Sequence, residues 1–139
     1  MHRSFRFALI LLCGCLAAAL RGQDVAVIAH PSVNESSLSS DDVGNILLGK
    51  KTTWSAGAIK VAILSEGPAH DAMLKTYAQR TADQFDKHWK KLVFTGKGIM
   101  PAQFKTEAEL VDYVAKTPGA FGYIAPGSAN ASVKVVPVQ

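Results

Sequence analysis

The chain has 139 residues, 48% of them hydrophobic and 19% charged, and a formal net charge of +4. That length and apolar content suit one domain with one core, and leave no room for a second. The charge is a feature of the first residues rather than of a basic surface: removing Arg3, Arg6 and Arg21 leaves twelve Lys+Arg against eleven acidic residues, or +1. A nucleic-acid role therefore lacks the concentrated basic face it needs.

Residues 1–22 read as a secretory signal peptide, with residues 23–139 as the domain. Arg3 and Arg6 form a basic start, Phe7 to Leu20 is apolar, and small residues follow. The run is shorter than the ~20 apolar residues of a comfortable membrane span. Cleavage fits after Ala19 or after Gly22. A second reading is a lipid anchor at Cys15 in Leu12-Cys13-Gly14-Cys15, which the apolar Leu16 to Leu20 opposes. Both cysteines lie in this leader, so a processed chain has no disulfide, thiol nucleophile or cysteine metal site. The expected location is periplasmic or secreted, with the membrane met only through the leader or that anchor.

Val25 to Ala29 is an apolar, β-branched run that reads as a buried strand. Ser39 then caps a helix, with Asp41 and Asp42 in the first turn, where the helix dipole favours negative charge. Val43, Ile46 and Leu47 give it one apolar face, and Gly49 offers a left-handed stop before Lys50 and Lys51. Ser55-Ala56-Gly57 is a turn, and Ile59 to Leu64 a second strand. A helix is expected over about Ala69 to Arg80. Thr81-Ala82-Asp83-Gln84 is a capping box for another, with Phe85, His88, Trp89, Leu92 and Val93 on its apolar face. Gly96 to Pro101 is a loop. Thr106 caps a third helix in this half, which ends at Pro118-Gly119. Ala120 to Ala125 and Val133 to Val138 are strands. Strands alternating with helices predict an α/β layer structure with a mostly parallel sheet flanked by helices.

Two segments carry a family resemblance. Ile46-Leu47-Leu48-Gly49-Lys50-Lys51-Thr52-Thr53-Trp54 resembles the "isoleucine-phenylalanine-x-glycine-lysine-x-threonine-x-tryptophan" segment of the substrate-binding proteins of phosphate ABC transporters. Thr117-Pro118-Gly119-Ala120-Phe121-Gly122-Tyr123-Ile124 resembles their "threonine-proline-glycine-alanine-isoleucine-glycine-tyrosine" strand. The resemblance runs from about Val25 to Val138 and implies a single-lobe periplasmic-binding-protein-like (type II) domain, corresponding to the second lobe of those proteins. It also implies a non-enzymatic solute-binding role, with phosphate or another small anion as ligand and an ABC transporter permease or a sensor protein as partner. No cofactor is implied.

The candidate site is Ser65-Glu66-Gly67-Pro68-Ala69-His70-Asp71, between a strand end and a helix start. Open α/β sheets bind ligands there, and a helix N-terminus offers free N–H groups to an anion. Ser65, Gly67 and His70 are the candidate ligand-binding residues. The segment departs from the family's arginine-preceded "serine-glycine-threonine" loop. It has no arginine, Pro68 lacks a donor, and Glu66 and Asp71 repel an anion. That departure favours an alternative: a ligand-free partner-binding or sensor-accessory module on the same fold. No nucleophile–base, metal-ligand or phosphate-loop pattern is present. His30, His70 and His88 share no ligand spacing, and His88 reads as a packing residue. Lys87, Lys90 and Lys91 read as a solvated helix face.

Overall fold

The computed structural model describes residues 25–139. The leader, its cleavage positions and both cysteines lie outside the described residues. The main sheet has five strands: β1 (Ala26–Ala29), β4 (Lys60–Leu64), β5 (Ala102–Phe104), β6 (Ala120–Ile124) and β7 (Lys134–Val135), in the order β5-β4-β6-β1-β7. A two-stranded ribbon, β2 (Thr53–Trp54) with β3 (Gly57–Ala58), stands apart from it. The helices are α1 (Ser40–Leu47), α2 (Pro68–Met73), α3 (Ala82–Phe94) and α4 (Glu107–Lys116). β5 and β6 both run parallel to β4, whereas β1 runs antiparallel to β6 and β7. Four of the five strands thus share one direction, and the sheet is mostly parallel.

The helix ends form where local chemistry directs them. Ser39 Oγ accepts from the Asp42 N–H at 3.0 Å, and Val43, Ile46 and Leu47 are buried together. Gly49 takes φ +75° just after α1, and a Cβ there would also press on the Trp89 ring. Thr81 and Gln84 complete the capping box of α3, with bonds of 3.2 and 3.0 Å. Thr106 Oγ1 caps α4 through the Glu109 N–H. Two α3 side chains then satisfy carbonyls at the end of α1: Trp89 Nε1 donates to Leu47 O at 2.9 Å and His88 Nε2 to Leu48 O at 2.8 Å. His88 is a packing residue with that nitrogen satisfied. Trp54 is buried at the start of β6, donating to Gly119 O at 2.9 Å with its ring 6.4 Å from that of Phe121.

Several expectations are corrected. The helix expected over Ala69 to Arg80 is α2 followed by a π-helical segment, Leu74–Ala78, and it stops at Gln79 with φ 49°. The Gly96–Pro101 loop leads into a strand, β5, that the sequence reading missed. The expected Ser55-Ala56-Gly57 turn closes the β2–β3 ribbon. Val133 to Val138 shrinks to β7 plus a bridge between Leu38 and Val138. On α3 the apolar face ends at half-buried Leu92, and Val93 is exposed.

Candidate functional site

The β4–α2 turn sits at the C-terminal end of β4, next to the centre of the sheet. Ser65 is exposed, and its N–H donates to Phe104 O at 2.9 Å, so its hydroxyl is the group left for a ligand. Gly67 holds φ +110°, a conformation unfavourable for any residue with a Cβ, and starts α2 without a side-chain cap. Its carbonyl accepts from the Asp71 N–H at 3.0 Å. The Glu66 and Gly67 N–H groups take no backbone partner among the described residues. Glu66 and Asp71 are both exposed beside them.

His70 behaves differently from its neighbours. It is 4% exposed and lies within 2.5 Å of the Tyr123 hydroxyl through Nδ1. The same hydroxyl accepts from the Leu64 N–H at 3.0 Å. Tyr123 is fully buried, and burial pushes its hydroxyl well above the usual phenol range, so it keeps its proton. With one lone pair engaged by Leu64, the phenol satisfies the pair by donating to Nδ1. The histidine proton is therefore assigned to Nε2. Burial lowers the His70 pKa, and the Asp71 charge opposes that without reversing it. The imidazole is neutral at pH 7. As pH falls from 8 towards 6, His70 therefore gains less positive charge for an anion than an exposed imidazole would.

Tyr123 reaches Leu64 because the pairing of β4 with β6 covers only Lys60–Val61 against Ala120–Phe121. Further along, the Tyr123 side chain takes the N–H that a strand partner would otherwise take. Beside this point is a pocket of about 110 Å³, lined by Ser65, His70, Phe85, Asp86, Trp89 and Gln103 among others. It has room for a few waters or one small ion. The structure brings Ser65 and His70 to the same pocket; Gly67 is not part of its lining. Tyr123, Asp86 and Gln103 join the site although the sequence reading passed over them. The available cue was a tyrosine inside an otherwise apolar strand, since a buried hydroxyl needs a partner. Asp86 reads locally as half of an i,i+4 pair with Lys90, which it also is, at 2.7 Å. Among the described residues no three His, Cys, Asp or Glu side chains converge as a metal site.

No family model and no curated protein matches the chain. Solved structures do. The chain is similar to a phosphate ABC transporter substrate-binding protein from Clostridium perfringens, determined with bound phosphate, at 19% identity and a TM-score of 0.67, over 83% of this chain and 44% of that one. It is similar to an ABC-type phosphate transport receptor from Vibrio cholerae at 15% identity and a TM-score of 0.55, over 83% and 46%. It is also similar to PstS from Borrelia burgdorferi at 16% identity and a TM-score of 0.58, over 84% and 47%. The chain spans less than half the length of each. No helix among the described residues is long and apolar enough to cross a membrane. At these identities the likeness is one of fold, and the chain has the periplasmic-binding-protein-like fold of a single lobe of the substrate-binding proteins of phosphate ABC transporters.

Proposed function

We propose that this chain is a solute-binding-like, non-enzymatic module that binds a small oxyanion such as phosphate weakly at the β4–α2 turn. The observation that carries this reading is the position of that turn: a parallel strand's C-terminal end, on a fold whose solved relatives include one holding phosphate. The Ser65 hydroxyl and the Glu66 and Gly67 N–H groups are the donors. Glu66 and Asp71 oppose them, Pro68 contributes none, and His70 stays neutral. The balance gives millimolar affinity, about −4 kcal/mol. A tighter site needs a second body across the turn, from a permease or a sensor protein. Residues 1–22 act as a signal peptide, which places the mature chain in the periplasm or outside the cell. Intact mass of exported protein starting at Leu20 or Gln23 supports this, and retention of the leader counts against it.

Sulfate is the cleaner calorimetric probe, because its charge is constant between pH 6 and 8. Millimolar binding that is flat over that range, weakened by Ser65→Ala and strengthened by Glu66→Gln, is the expected result. One observation favours a second reading, a partner-binding module with no ligand. The histidine of the turn gives its Nδ1 to Tyr123 and carries no positive charge, and Glu66 and Asp71, exposed beside it, are acidic. Absence of sulfate binding at tens of millimolar would select that second reading.

A further inference from the structure

A groove lies away from the β4–α2 turn, at the N-terminal ends of β4 and β5. Its volume is about 680 Å³. Half-buried Ile59, Val61, Met100 and Tyr113 give it an apolar floor, and Ile99 stands on its lip at 90% exposure. Lys51, Lys60 and Lys97 also line it, and no carboxylate does.

Two of these three charges have no carboxylate partner among the described residues. On the helices, Lys87, Lys90 and Lys116 each pair with an aspartate four residues earlier, at 3.1, 2.7 and 3.0 Å. Lys60 and Lys97 have no such partner among the described residues, and Lys51 has Asp42 at 3.8 Å. The lip is also built rather than loose. The Lys97 N–H donates to Leu92 O at 2.8 Å, and Gly98 lies so close to Trp89 that a Cβ there would stand 3.2 Å from the ring.

From this we infer that the groove is a docking surface for an extended acidic segment of a partner protein, in which carboxylates alternate with apolar side chains. The apolar floor gains from being covered. Covering it desolvates the rim lysines, which is costly unless the occupant brings carboxylates to them. A second copy placed by two-fold symmetry would set lysine against lysine, so the occupant is a different surface. This role is independent of anion binding at the turn.

The probe is a fluorescein-labelled hexapeptide alternating leucine and glutamate, with a leucine–lysine hexapeptide as control, read by fluorescence anisotropy on the full chain. The acidic peptide should bind saturably and about tenfold more tightly than the control. Its affinity should fall about fivefold between about 0.05 and about 0.5 M salt. Lys60→Glu with Lys97→Glu should reverse the preference, and Ile99→Ser should weaken the acidic peptide about fivefold. All three residues are exposed, and circular dichroism checks the fold. If the double variant misfolds, Lys97→Gln alone should narrow the preference between the peptides. Three results would overturn the assignment: equal binding of both peptides, no saturation by about 1 mM acidic peptide, or unchanged affinity in the folded variants. Binding to phosphatidylglycerol vesicles without binding to the acidic peptide would assign the groove to a membrane surface instead.

Discussion

Replacing Gly44 by alanine sets two effects of opposite sign against each other. Gly44 is in the middle of α1, where alanine is favoured over glycine by about 1 kcal/mol from backbone entropy. In an exposed helix that gain would decide the outcome. Here a Cβ would fall well inside contact distance of the Tyr77 carbonyl oxygen, which belongs to the π-helical segment packed across α1. The obstacle is backbone, so no rotamer change relieves it. The π segment is held by Leu74 and Ala78, 0% and 2% exposed, and cannot withdraw without disturbing the core. Overpacking of this kind costs about 1–3 kcal/mol, and a clash with a fixed carbonyl belongs at the upper end. The net expectation is a loss of about 2 kcal/mol, equivalent to a Tm fall of about 8 °C. Urea unfolding followed by the fluorescence of buried Trp54 and Trp89 measures it. Asn45→Ala, one residue on, is the propensity control and should be neutral or stabilising by up to about 0.6 kcal/mol. A Gly44→Ala protein more stable than the parent by about 0.5 kcal/mol would show that α1 and the π segment do not pack as closely as described.

Two further predictions concern the buried polar cluster. Tyr123→Phe leaves the Leu64 N–H and His70 Nδ1 without a partner and should cost about 1–3 kcal/mol in the same unfolding assay; a change within about 0.3 kcal/mol would mean that water replaces the hydroxyl. The lowered His70 pKa means the unfolded chain, titrating near 6.5, binds the proton first. Stability should therefore be level above about pH 7.5 and decline as pH falls below 6.5 towards the folded value, a decline that His70→Asn should flatten. An unchanged slope in that variant would place the titrating group elsewhere.

What the residues alone determine here is local. Ser39, Thr81 with Gln84, and Thr106 mark helix starts because a cap bonds N–H groups two or three residues away. The apolar face of α1 and the buried runs of β1, β4 and β6 are legible for the same reason, since burial follows a short repeat. Their alternation with helices was enough to indicate the fold. The direction of β1 was not legible: Ala26–Ala29 carries nothing in its own side chains that sets it antiparallel to β6. β5 was invisible because three residues show no periodicity, and it is a strand by virtue of β4 alongside. The state of His70 was decided by burial and by the bond of its Nδ1 to Tyr123, 53 residues later, which make it a neutral group. The groove depends on Lys51, Lys60 and Lys97, which do not stand out in the sequence and share a rim only because the fold brings two connecting segments and the start of β4 to one end of the sheet. Caps and periodicities act over a few residues; partners, tautomers and surface charge depend on distances that only the folded chain sets.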